Sequence, residues 1–153
     1  MAIALVPVFA AVVTAQNGGA TDAAKLCRSV STIRQLPKDY GVRGADAAYD
    51  AIVAGGESVV PCLIDNITNT RVMTDPRCPT ISTATTIGDI SYFLLIDILK
   101  LKFTDLLPLK VRQDYKTTGA YAYHRHIDRP GARKQLQAKL RHWYADNKDL
   151  QRF

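Results

Sequence analysis

The densest group of chemistry-bearing side chains is Tyr121-Ala122-Tyr123-His124-Arg125-His126. In an extended chain alternate residues share a side, so His124 and His126 would lie together, as would Tyr121 and Tyr123. Two imidazoles so placed could share a metal, but a metal site needs a third ligand. His142 is the remaining histidine, and nothing in the sequence brings it to the pair, so no metal or cofactor is assigned. Tyr, His and Arg together suit an interface anchor instead.

Asp97 is the second polar group of interest. It falls in an otherwise apolar arc of a helical run, where a carboxylate needs a partner or a raised pKa. The structural reading, a pair with an Arg or a hydroxyl, is preferred to a catalytic acid, because no second catalytic group accompanies it. No GxSxG, HExxH or phosphate-cradling glycine loop occurs.

The cysteines are Cys27, Cys62 and Cys78. Cys27 belongs to the apolar stripe of its helix, whereas Cys62 lies off the apolar face of its own and Cys78 lies in a polar loop. A Cys62–Cys78 disulfide is therefore expected, pinning loop to helix. No CxxC spacing suggests a metal.

Charge is uneven. Residues 110–153 hold eleven Lys and Arg against four Asp, a net of +7, whereas residues 1–109 hold nine against ten. Arg133, Lys134 and Arg141 in the last helix add to the Tyr121, Tyr123, His124, Arg125, His126 group as expected binding residues. A basic surface attracts acidic protein, anionic lipid or nucleic acid. Lys110, Arg112, Lys116, Arg129 and Lys139 extend it, but no nucleic-acid-binding module is recognisable, so an acidic protein partner is preferred.

The elements that must position these groups are mostly helical. Thr85–Leu101 is the longest apolar run of the chain beyond its first fifteen residues. Its apolar residues fall nearly all round a helix, so a buried central helix over 86–101 is expected, capped by Thr85 or Thr86 with Asp89 in the first turn. A membrane span needs about 20 apolar residues, and this run contains Asp89, Asp97 and Lys100. Other helices are expected from Thr21 or Asp22 to Leu36, over 44–54, from Ser58 to Thr68, and from Arg129-Pro130-Gly131 to Asp146. In the last, Ala132, Leu136, Leu140, Trp143 and Tyr144 face inward and Lys134, Gln137 and Arg141 outward. Phe103–Pro108 reads as a short helical turn. Tyr115–His126 reads as irregular or a short strand pair turning at Gly119. Residues 69–84 read as a polar surface loop and a second contact surface. The fold class is thus all-α, a bundle of about five to six helices around the central one.

Gly56-Glu57-Ser58-Val59-Val60-Pro61-Cys62-Leu63-Ile64, with the preceding Tyr49-Asp50-Ala51-Ile52-Val53-Ala54-Gly55, resembles the joint of a HEAT-type helical repeat over about residues 46–67. No second copy follows, and solenoids need about three repeats. The resemblance implies a helical hairpin at 44–68 and, because HEAT-type proteins are generally scaffolds, a binding role.

Met1–Ala15 is uncharged and ends in small residues, like the core of a secretory signal cleaved before Gln16, although a basic n-region is missing. Residues 16–153 then form one helical domain, periplasmic or secreted, with no membrane span. The functional expectation is a stoichiometric binding protein of inhibitor or immunity type engaging an acidic partner. The alternatives are an envelope hydrolase using Asp97 or His124/His126, and a structural accessory protein.

Overall fold

A computed structural model describes residues 18–37, 41, 43–73 and 85–148. Among these residues the chain is all-α. Seven α-helices run in order: α1 Gly18–Ser29, α2 Ala47–Ala54, α3 Val60–Asn66, α4 Ile87–Ile98, α5 Leu109–Thr118, α6 Ala120–Ile127 and α7 Ala132–Asn147. Short 3₁₀ turns follow α1 (Val30–Thr32) and precede α3 (Gly56–Val59). Among the described residues the one β feature is an isolated antiparallel bridge between Val72 and Thr86. No single described helix is long and apolar enough to cross a membrane.

The expected central helix is α4. Every residue in it is buried except Phe93 and Ile98. Thr86 and Asp89 close a reciprocal capping box, with the Thr86 N–H donating to Asp89 Oδ2 at 2.8 Å and the Asp89 N–H to Thr86 Oγ1 at 3.3 Å. Such a box satisfies two helix N–H groups that nothing else would reach. α4 ends where Lys100 turns left-handed (φ 54°) and the Leu101 N–H reaches back to the Ile96 carbonyl at 3.1 Å. That is the closing bond of a Schellman motif, at a position glycine usually occupies.

α2 and α3 pack against α4 through Tyr49, Ile52, Leu63 and Ile64, all in the shared core. Asp46 starts α2, accepting from the N–H groups of Ala48 and Tyr49 at 2.9 and 3.0 Å and from those of Arg34 and Gln35 at 2.8 and 3.1 Å. Burial pushes the Asp46 carboxyl up, but these four bonds outweigh it and hold it below the usual carboxylate value. α2 gives way at Gly55 to the 3₁₀ turn that leads into α3, and the chain bends there by 103°.

The disulfide joins Cys27 to Cys62, with Cα atoms 6.2 Å apart, and so corrects the expected Cys62–Cys78 bridge. α1 packs on α3, and the stripe that carries Cys27 is the one turned toward it. Cys62 lies off the α4-facing side of α3, which is the side left for α1. Cys78 lies outside the described residues, as do the expected signal at 1–15 and most of the 69–84 loop.

Tyr115–His126 is helical, another correction. α5 and α6 form a hairpin hinged at Gly119, whose φ of 56° and ψ of −142° favour glycine. Aromatic rings dock this hairpin on α4. Tyr92 and Tyr123 stack at 5.2 Å, Phe103 lies edge-on to Tyr123 at 5.3 Å, and the Tyr92 hydroxyl donates to the Phe103 carbonyl at 2.6 Å. α7 closes the bundle through Ala132, Leu136 and Leu140.

Candidate functional site

Helix geometry separates the two histidines. Residues two apart on a helix point about 200° from each other. His124 is buried, its ring edge-on to Tyr123 at 5.2 Å, whereas His126 is half-buried and faces a recess between α5 and α6. This recess encloses about 290 Å³, and Lys110, Asp114, Arg125, His126 and Arg129 line it. Burial, and then the nearby Arg129 charge, push the His126 imidazole below its ordinary value.

A second recess of about 420 Å³ opens between the start of α7 and the chain that follows α3. Thr68, Thr70, Thr86, Asp128, Arg129, Arg133 and Lys134 line it. Arg129 belongs to both recesses, so the two adjoin across its side chain. Lys110, Arg129 and Lys134 are exposed and make no ion pair among the described residues. Arg125 donates to Thr118 Oγ1 at 3.2 Å. The result is a basic stretch running from α5 across the end of α6 to α7.

Arg133 has a different task. Its side chain is only 11% exposed and lies 3.1 Å from Asp89 and 3.9 Å from Asp128. Asp89 also accepts from the Tyr123 hydroxyl at 2.9 Å and the Thr86 hydroxyl at 2.8 Å. Burial, and then the Asp89 charge, raise the Tyr123 phenol well above its ordinary value, so it acts as a fixed donor. Asp97 is held in a similar way. Arg43 donates at 2.7 Å, the Tyr49 hydroxyl donates at 3.2 Å, and Lys100 lies at 3.6 Å. Burial pushes the Asp97 carboxyl up, but its bond to Arg43 and the Arg43 charge dominate and lower it. A carboxylate so held is ionised and saturated, which is the structural pairing expected from sequence.

The expected binding residues are thus distributed over the fold. Arg125 and His126 share the first recess, and Arg133 and Lys134 the second. Tyr123 and His124 are buried, and Tyr121 is half exposed but lines neither recess. Arg141 lies apart, bound to Asp65 on α3 at 2.7 Å. Gln137, expected to face outward, instead donates to the Ile64 and Asp65 carbonyls at 3.0 Å each. Sequence reasoning missed the linking position of Arg129. Its signal was the four-residue spacing of Arg125, Arg129 and Arg133, obscured because the chain breaks between α6 and α7. Among the described residues, no group of three His, Cys, Asp or Glu side chains could hold a metal.

No model of a known protein family, no curated protein and no solved structure matches this chain.

Proposed function

We propose that the protein is a stoichiometric binding protein that engages an acidic segment of a partner protein through the basic stretch centred on Arg129. The observation that carries this reading is that one arginine lines two adjoining recesses, flanked by Lys110 and Arg125 on one side and Lys134 on the other. Carboxylates of an extended acidic segment, spaced along its backbone, could occupy both recesses at once. Cations without internal partners lose no native ion pair when they bind. The hydroxyls of Thr68 and Thr70 add hydrogen-bond donors in the second recess. The Cys27–Cys62 disulfide supports an oxidising, periplasmic or secreted setting. An envelope hydrolase using Asp97 or the His124/His126 pair gains less support, because Asp97 is held by Arg43 and Tyr49, His124 is buried against Tyr123, and α6 turns His126 away from His124.

A fluorescein-labelled oligoglutamate peptide titrated with the protein tests this reading by anisotropy. A single saturable site that weakens steadily with added salt supports it. Affinity independent of salt, or binding at several equivalent sites, contradicts it.

A further inference from the structure

A separate cavity has the disulfide in its wall. It encloses about 600 Å³, and Cys27, Cys62, Arg28, Arg71 and Asn66 are part of its lining. Among the described residues no carboxylate lines it. Both cysteines are half-buried and belong to the cavity wall.

The two sulfurs are not equivalent. Cys27 Sγ accepts a hydrogen bond from Asn66 Nδ2 at 3.6 Å, a contact that strengthens if the sulfur becomes anionic. Cys62 Sγ lies 3.1 Å from the Val59 carbonyl oxygen, which opposes negative charge there. Cys27 is therefore the better leaving group, and Cys62 the sulfur to attack. Two arginines on the wall of a cavity whose described lining holds no acid attract anions.

We propose that the Cys27–Cys62 disulfide is an exchange site for an anionic low-molecular-weight thiol, which docks beside Arg28 and Arg71 and attacks Cys62 Sγ. The incoming thiolate forms a new S–S bond to Cys62 as the Cys27–Cys62 bond breaks. Cys27 leaves with the electron pair as a thiolate held by Asn66. A second thiolate attacks the mixed disulfide on its own sulfur, releasing Cys62 as a thiolate. The two thiols are oxidised to their disulfide, and the protein gains two electrons. Reduction frees α1 from α3, so the thiol would control how α1 is held. This reading is independent of the basic stretch around Arg129.

The test uses the oxidised full chain carrying Cys78→Ser, so that only the Cys27–Cys62 pair reacts. Glutathione, which is anionic, is compared with cysteamine, which is cationic. Each rate is normalised to that thiol's rate with a small exposed disulfide, and the adduct is located by peptide mapping. The expected result is an adduct on Cys62 and a normalised preference for glutathione of about tenfold or more, since a focusing cleft raises encounter by that order. Arg28→Gln with Arg71→Gln should remove most of the preference, whereas Arg28→Lys with Arg71→Lys should retain it and shows whether the altered chain still folds. Asn66→Leu should slow exchange several-fold for both thiols alike. Equal normalised rates, an adduct on Cys27, or exchange that proceeds only as denaturant unfolds the chain would overturn the proposal.

Discussion

Asp89 and Asp97 lie eight residues apart on α4, about two turns, and each buried carboxylate receives one tyrosine hydroxyl and one arginine. Tyr123 and Arg133 serve the first, from α6 and α7. Tyr49 and Arg43 serve the second, from α2 and the segment before it. The central helix is thus fastened at its two ends to different parts of the chain by the same chemistry. A carboxylate buried on an apolar helix accepts few geometries, so each pair fixes the register of what packs there.

The two fastenings should differ in strength. Arg133 is 11% exposed and Arg43 is 36% exposed, so water can replace the guanidinium more readily at Asp97. Lys100 also lies near Asp97. Arg133→Ala should cost about 3 kcal/mol, in the range for breaking a buried pair, and Arg43→Ala about 1 kcal/mol, as expected for a pair near solvent. Urea denaturation of both variants checks this. Equal losses would contradict the assigned environments.

Gly88 sits where α4 crosses the end of α3, and its N–H donates to the Asn69 carbonyl at 2.9 Å. A Cβ here would collide with the Ile67 carbonyl and approach the Arg133 guanidinium to 2.8 Å. Gly88→Ala should therefore destabilise by about 1–3 kcal/mol, the cost of overpacking, despite alanine's better helix propensity. A neutral or raised Tm would show that the α3–α4 crossing is looser than this.

Lys100 offers the opposite case. Its left-handed backbone costs a non-glycine residue roughly 1 kcal/mol, and its ion pair with Asp97 at 3.6 Å, made by an ammonium that stays in solvent, restores at most about 0.5 kcal/mol. Lys100→Gly should raise stability by about 0.5 kcal/mol, read as a higher urea midpoint at unchanged slope. A lower midpoint would mean that the pair matters more than the backbone.

Acidification should weaken the fold in two stages. His126 has a folded pKa below its ordinary 6.5, through burial and Arg129, so the unfolded chain binds protons more readily. Its contribution is intact above about pH 6.5 and falls away below it. Lys110, Arg125 and Asp114 share its recess. Asp46 and Asp97 have folded values below 3.8, so their contribution holds above that pH and is lost as pH falls through their folded values. His126→Gln should abolish the first stage and leave the second, as measured by urea midpoints at about pH 7.5, 5.5 and 3.5. A first stage that persists in the variant would have another cause.

The parts legible in sequence were those fixed by local rules. Thr86 and Asp89 announce the start of α4 by capping chemistry, and the stripe Ala132, Leu136, Leu140 announces α7 by periodicity. Even the Asp97 pairing was readable as an unmet need, though not which arginine would meet it. The disulfide partner was not legible, because it depends on how α1 crosses α3. The α5–α6 hairpin was hidden for a different reason. Tyr121, Tyr123, His124 and His126 mimic strand alternation, whereas the rings that hold the hairpin lie on α4 and at Phe103. Arg129 could not be singled out until α6 and α7 were placed side by side.

Charge reversal at matched sites tests the binding account most directly. Arg125→Glu, Arg129→Glu and Lys134→Glu together change the net charge as much as Lys25→Glu, Arg34→Glu and Lys102→Glu together, and all six residues are exposed. Affinity for the labelled oligoglutamate peptide at fixed ionic strength is measured for both triple variants after their folds are confirmed by circular dichroism. The account predicts a loss of about 100-fold or more for the first triple variant and at most about a threefold change for the second, since local contacts exceed the screened field of distant charges. Equal losses in the two would mean that net charge alone attracts the peptide, and would contradict a binding site at Arg129.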